Sequence, residues 1–545
     1  MFRHTLVNNF LEYSAQRTPD KVALIHQDNR LTYAEIDSMA NRLAAALIDV
    51  GIERGDRVAV YMDNSIEAVV SIFAALKAGA AFMVINHTTK TEKLEYILNN
   101  SRAKALLIQG IRADVVRGIN CPHLKNIIST NSTNQLINQS TIQLFNHSTI
   151  QPFNQNNLLC IPYEKIVNSG ANKAITSKCI DLDLASIIYT SGSTGWPKGV
   201  MLSHLNMLSA AHSITTYLEN TEDDIIINVL PMSFDYGLYQ ILMSFKIGGT
   251  VILEKSFTYP YQVIDTMVKE RVTGFPGVPT IFAILLRLKD INKYNLNSLR
   301  YITNTAAALP VSHIKRLREL FPKAKLYSMY GLTECKRVSY LPPDELDKRP
   351  DSVGKGMPNE EVYIVNEMGE KVGSGEVGEL VIRGANVMLG YWEMPEETRR
   401  CLKPGRYPGE RVLYTRDLFR MDEEGYLYFV ARKDDIIKCK GEKVSPKEIE
   451  NVLYKLDGIL EASVIGVPDD ILGQAVKAYV VLDKGSKLSE KDILRHCSQH
   501  LENLMIPKYV EILPSLPKTM TGKISKNELK AQESSTESCG LRVSD

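Results

Sequence analysis

The sequence predicts an α/β protein with largely parallel sheet, followed by a small α+β unit. Three observations carry this. Stretches with apolar residues at helical spacing alternate with short β-branched runs. A loop rich in glycine and hydroxyl residues, at 190–199, follows one such run. Beyond Arg432 the alternation gives way to a helix, two strands and a helix. At 545 residues the chain exceeds one compact core and implies two to four structural units.

Taken in order, residues 31–50 have helical spacing, 57–62 read as a strand and 67–77 as a helix. Residues 68–85 are nearly all apolar, but Lys77 and Gly79 interrupt them, so a buried helix followed by a buried strand is expected rather than a membrane span. Between 129 and 157 the composition turns to Asn, Gln, Ser and Thr, and an eight-residue unit at 138–145 recurs at 146–153. Two copies cannot build a solenoid. With little to bury, this insert is expected to be a flexible surface loop, ahead of a partner-binding arm. The alternation returns from 181 to 429, with turn-rich sequence at 350–378. A helix is predicted at 446–456, strands at 462–467 and 475–482, and a helix at 489–502. The polar tail 531–545 is expected to be disordered.

Composition excludes several classes of function. Sixty-four basic against sixty-three acidic residues give a net charge of +1, so no nucleic-acid partner is implied. Eight scattered cysteines form no Cys-x-x-Cys pair and no zinc spacing, and read as reduced thiols. The N-terminus lacks the apolar core of a signal peptide. Cytoplasmic residence without an integral membrane segment is the expectation.

The loop reads Thr190-Ser191-Gly192-Ser193-Thr194-Gly195-Trp196-Pro197-Lys198-Gly199. Its glycines permit tight turns and close approach to a ligand, while its hydroxyls and Lys198 supply donors suited to polyphosphate. Residues 185–189 read as a strand before it, and 203–218 as a helix after it with Ser203 as N-cap. Strand, loop and helix would form a phosphate cradle. A Walker A loop is excluded, because Pro197 stands where its second glycine would fall. Alone, such a cluster is equally a solvated turn.

Further blocks follow: Met329-Tyr330-Gly331-Leu332-Thr333-Glu334, then Tyr414-Thr415-Arg416-Asp417-Leu418, then Ala431-Arg432-Lys433-Asp434-Asp435-Ile436-Ile437-Lys438, and Pro517-Lys518-Thr519-Met520-Thr521-Gly522-Lys523-Ile524. Singly, each has a mundane explanation as a turn, a cap or a solvated face. Together and in this order, over roughly residues 10–530, they resemble the adenylate-forming superfamily of acyl-CoA synthetases, adenylation domains of peptide synthetases and luciferases. The resemblance implies a large N-terminal domain of several subdomains (1–431) and a small α+β C-terminal lid (432–530) that rotates between two half-reactions.

It also implies roles. Thr190, Ser191, Gly192, Ser193, Thr194, Gly195 and Lys198 would wrap the β- and γ-phosphates of ATP. Thr333 would contact the α-phosphate, and Glu334, with Thr194, would bind Mg²⁺. Tyr330 and Gly331 would lie beside the adenine with Ala307, Asp417 would hold the ribose hydroxyls, and Arg432 would support ribose and phosphate. Lys523 would bridge substrate carboxylate and α-phosphate. Asp434 would be the hinge, and Lys438 with Gly441 would form the lid face that admits the pantetheine thiol. Phe234, Asp235, Tyr236 and Gly277 are the substrate-pocket candidates.

The chain departs from the family pattern in places. Arg416 stands where glycine usually precedes the aspartate, and Ala431 where glycine precedes Arg432. The adenine-side segment, commonly glycine-rich, is Asn304-Thr305-Ala306-Ala307-Ala308-Leu309-Pro310, and Lys526 replaces a frequent arginine. Many acyl-CoA ligases have histidine where Phe234 stands, whereas adenylation domains of peptide synthetases have Phe-Asp and use the aspartate for the substrate's amino group. Residues 233–238, and 330–334 followed by Tyr340-Leu341-Pro342-Pro343, are closer to a bacterial acyl-CoA ligase subgroup associated with exosortase gene clusters. A mundane role for Asp235 is to cap the next helix.

The leading expectation is an ATP- and Mg²⁺-dependent ligase that makes an acyl-adenylate from a carboxylic acid and then an acyl-CoA. The nearest alternative passes an amino acid or acyl group to the phosphopantetheine of a separate carrier protein. A noncatalytic nucleotide-binding scaffold is the alternative from another class, and the presence of Glu334, Asp417, Arg432 and Lys523 together weighs against it.

Overall fold

A computed structural model describes residues 5–112, 115–116, 118–130, 159–168, 173–190, 196–307, 309–439, 442–469, 471–519 and 523–540. Among these, four sheets organise the chain. An eight-stranded sheet is parallel from Leu184–Thr190 through Ala81–Ile85, Arg57–Tyr61, Ala105–Gln109 and Asn126–Thr130 to Leu159–Pro162. A nine-stranded sheet has Val22–His26, Thr250–Leu253, Ile225–Asn228, Gly274–Gly277, Tyr301–Asn304 and Lys325–Tyr330 as its parallel centre. The α/β expectation holds, with antiparallel strands at the sheet edges.

Helices Tyr33–Asp49, Ile66–Lys77, His204–Tyr217 and Asp235–Ile247 contribute to one continuous apolar core. The apolar stretch 68–85 is a buried helix followed by a buried strand, as expected. Its lysine is accommodated because Lys77 Nζ lies 2.9 Å from both Glu12 and Asp37, so the buried ammonium is compensated twice. Among the described residues no helix is long and apolar enough to cross a membrane.

Three expectations about elements change. The loop at 190–199 leads into a strand, Lys198–Ser203, antiparallel to Leu184–Thr190 with Thr190 opposite Lys198, and the helix begins only after it. Gly199 serves this hairpin, since a Cβ there would lie 2.7 Å from Ile187 Cγ2. Ser203 is the N-cap foreseen, accepting from Asn206 N. Second, Ser129 and Thr130 are buried ends of the strand Asn126–Thr130, so the Asn/Gln-rich insert starts later, and its body, 131–157, lies outside the described residues. Third, the polar tail is helical as far as Gly540, in the helix Lys526–Gly540. It is anchored rather than free, because Glu533 accepts from Lys477 at 2.7 Å and from Tyr479 at 2.5 Å.

A five-stranded antiparallel sheet, including Gly378–Gly384, Arg411–Met421 and Leu427–Arg432, leads to the C-terminal unit. The chain turns through residues 433–435 and enters a separate sheet at Ile437–Cys439. That sheet, with helices Pro446–Leu453 and Glu490–His500, buries its own apolar cluster around Ile449, Val464, Val480 and Ile493.

Candidate active site

Lys523 is where the two parts of the chain meet. Its backbone N donates to Thr519 Oγ1 at 3.2 Å, fixing the loop that carries it. Lys523 lines a small cavity of about 30 Å³ with Phe234, Asp235, Tyr236, Thr305, Ala306, Gly331, Leu332, Thr333, Lys336 and Arg337. Burial holds the Lys523 pKa below the usual lysine value, opposed by the nearby carboxylates of Asp235, Asp417 and Glu334. Lys523, Thr333 and Asp235, far apart in the sequence, therefore share one site.

Beside it, Asp417 and Arg432 are cross-strand partners in the five-stranded sheet. Arg432 Nε donates to Asp417 Oδ1 at 2.9 Å, and Tyr330 Oη donates to Asp417 Oδ2 at 2.6 Å. Burial raises the Asp417 pKa against the Arg432 charge, and Asp417 in turn raises that of Arg432. Tyr330 ends the strand Lys325–Tyr330 and packs edge-on against Phe419 at 4.9 Å. Gly331 follows, where a Cβ would lie 2.6 Å from the Lys336 carbonyl oxygen, so only glycine lets the chain fold back here.

Glu334 Oε1 accepts from Tyr391 Oη at 2.7 Å. Lys198 Nζ lies 5.4 Å from the centre of the Tyr391 ring and 2.5 Å from Glu397 Oε2. Among the described residues no group of three or more His, Cys, Asp or Glu is placed to hold a metal. A cation at Glu334 would need further oxygen ligands, which phosphate oxygens and water supply to Mg²⁺ in nucleotide complexes. Residues 191–195, expected to wrap the phosphates, and Gly441 lie outside the described residues.

On the adenine side, Asn304 Nδ2 donates to the Ala307 carbonyl at 3.0 Å, and Ala307 itself is exposed. Thr305 and Ala306, rather than Ala307, line the cavity. Ala306 has φ +78°, in the region that favours glycine, which accounts for the glycine common in this segment. Asn304 Oδ1 and Thr305 Oγ1 are buried without a hydrogen-bond partner among the described residues, as suits a surface awaiting a polar ligand.

The substrate candidates behave differently from one another. Asp235 does not cap its helix. Phe234 is the N-cap, Asp235 opens the helix Asp235–Ile247, and its carboxylate lies 3.3 Å from Lys336 Nζ. Tyr236 Oη donates to the Thr303 carbonyl at 2.9 Å. Gly277 does not itself line the cavity but lies behind Tyr236 and packs on Phe282, where a Cβ would lie 2.5 Å from the ring. Lys438 is exposed outside the cavity, its backbone N donating to Gln474 Oε1 at 2.8 Å. Asp434 lies in the turn between the sheets.

Lys336 and Arg337 are the residues that the sequence reading missed. Both are nearly fully buried at the cavity, and two consecutive cations one residue beyond the 330–334 block were the available signal.

The family model of the AMP-binding enzymes matches residues 11–392, and that of the AMP-binding enzyme C-terminal domain matches 448–523. The chain belongs to the AMP-binding, adenylate-forming enzymes. Relatives of this adenylate-forming enzyme include a long-chain-fatty-acid–CoA ligase of Bacillus subtilis, 32% identical over 542 residues, covering 97% of this chain and 94% of that protein. Among solved structures, the anthranilate CoA ligase AuaEII in complex with anthranoyl-AMP superposes with a TM-score of 0.87 at 26% identity, covering 99% of each chain. ATP-bound MatB from Rhodopseudomonas palustris superposes with a TM-score of 0.84 at 27% identity, covering 97% of this chain and 99% of that one.

Proposed function

We propose that this enzyme is an AMP-forming acyl-CoA ligase, activating a carboxylic acid with ATP and transferring the acyl group to CoA. The observation that carries this reading is Lys523 of the C-terminal unit in one cavity with Thr333 and Asp235, close to the Tyr330–Asp417–Arg432 cluster.

In the first step a carboxylate oxygen attacks the α-phosphorus, and the bond to pyrophosphate breaks. Negative charge shifts onto the transferring oxygens, and a positioned ammonium such as Lys523 stabilises it most in the transition state. Asp417 accepts from the ribose hydroxyls, with Tyr330 and Arg432 fixing its carboxylate. Thr333 donates to the α-phosphate, while Thr190, Lys198 and the intervening loop hold the β- and γ-phosphates. Mg²⁺ bound through Glu334 would neutralise phosphate charge. In the second step the CoA thiolate attacks the acyl carbon and AMP leaves, after a turn about Asp434 brings the Lys438 face to the site.

The relatives act on acids as different as long-chain fatty acids and anthranilate. Pyrophosphate exchange across fatty, aryl, dicarboxylic and amino acids tests the first step, and AMP release with CoA or with a phosphopantetheinyl carrier protein tests the acceptor. Exchange with at least one acid, and thioester on CoA, are expected. ATP binding without exchange for any acid would leave a nucleotide-binding scaffold. Transfer only to the carrier would move the acceptor to a separate protein.

A further inference from the structure

The cavity around Lys523 holds more positive charge than adenylation uses. Lys336 and Arg337 are 3% and 2% exposed, and both line it. Lys336 Nζ lies 3.3 Å from Asp235, 4.5 Å from the centre of the Tyr239 ring and 5.4 Å from that of Tyr236. Asp235 is thereby neutralised from within the protein. An amino-acid substrate that presented its ammonium to Asp235 would have to compete with a lysine already there.

Arg337 has no such compensation. Among the described residues it has no ion pair, its Nε is buried without a hydrogen-bond partner, and its guanidinium faces the Tyr236 ring at 5.2 Å. A buried guanidinium is costly unless an anion or several acceptors meet it. Its neighbour Lys336 cannot help, since a second cation adds repulsion. Burial depresses the Lys336 pKa to about 7, with Arg337 adding to that depression and Asp235 opposing it. An anionic group entering the cavity would complete Arg337.

We propose that the acid activated here carries a second anionic group, which Arg337 binds while its reacting carboxylate lies at Lys523 and Thr333; a short dicarboxylate is the simplest such acid. This deepens the ligase reading and rests on it. An alkyl terminus lying against Arg337 would leave the donors of a desolvated guanidinium unsatisfied.

The test compares pyrophosphate exchange for dicarboxylates of three to eight carbons, one phosphonocarboxylate of matching length, methyl-terminated acids of four to sixteen carbons, and amino acids. A dianionic acid is expected to exceed the methyl-terminated acid of equal length by about a hundredfold in kcat/KM, the loss typical of leaving one member of a buried charge pair unmatched. Arg337→Met should erase that preference, and Arg337→Lys should restore part of it. Unchanged ATP affinity, measured by calorimetry, would show that the variants are folded. Equal or better turnover of methyl-terminated acids or of amino acids would overturn the assignment, as would an Arg337→Met variant that binds ATP and keeps the dianion preference. Absence of exchange with every acid would instead remove the ligase reading beneath it.

Discussion

Arg416 Nη2 donates to Asp434 Oδ1 at 2.7 Å, tying the five-stranded sheet to the turn that leads into the C-terminal unit. The arginine stands at φ +61°, in the left-handed region where glycine is favoured, and its backbone N donates to Glu379 Oε1 at 2.8 Å. Both side chains are about half exposed, so the pair contributes roughly 0.2–1 kcal/mol. Arg416→Gly removes the pair and relaxes the backbone, two small effects of opposite sign. The thermal midpoint should stay within about 3 °C, and adenylation should slow by less than about fivefold. A tenfold loss would mean that the pair holds the lobes far more firmly than its exposure allows.

Lys523→Ala removes the ammonium proposed to face the transferring oxygens. By analogy with the loss of a single transition-state donor, it should cost roughly 3 kcal/mol, about a hundredfold in pyrophosphate exchange. ATP affinity should change far less, because Asp417, Tyr330 and Arg432 remain; isothermal titration separates the two effects.

Lys438→Ala should slow thioester formation more than adenylation, since Lys438 is exposed outside the cavity in this arrangement of the two units. Single-turnover assays of each half-reaction decide the point, and equal losses in both would refute it.

Removing one member of the buried Lys336–Asp235 pair leaves the other uncompensated. Asp235→Ala should therefore destabilise by about 3 kcal/mol, whereas the double variant Asp235→Asn with Lys336→Met should recover most of that loss. Urea unfolding of the three proteins gives the comparison, and a double variant no more stable than the single would contradict it.

The same pair gives a pH dependence of known sign. The Lys336 pKa falls to about 7 in the fold, through burial and Arg337 and against Asp235 and Cys335, from about 10.4 when unfolded. Between these values the unfolded chain binds more protons, so this contribution to stability rises as pH climbs from about 7 and is flat below it. The urea midpoint of the natural protein, relative to that of the double variant, should therefore increase from pH 7 to pH 9. A difference that stayed constant or shrank would show that Lys336 titrates elsewhere.

Local pattern was enough wherever one element's own chemistry decides its state. Ser203 was legible as a cap because its side chain satisfies a donor three residues ahead. The ordered blocks from 190 to 524 likewise made the superfamily readable, and they singled out Lys523, Asp417 and Arg432 as candidates, since each needs only a residue type at its place in a motif.

Long-range pairing decided the rest. Residues 198–203 look like the end of a loop, and they are a strand because Leu184–Thr190 and Gly390–Tyr391 supply partners on either side. The polar 531–533 segment continues a helix because Lys477 and Tyr479 hold Glu533. Asp235 could be read as a cap or as a ligand for a substrate amine, and folding set Lys336 against it. Whether a buried charge is matched depends on what residues a hundred positions away bring to it, and no spacing within one stretch of sequence carries that information.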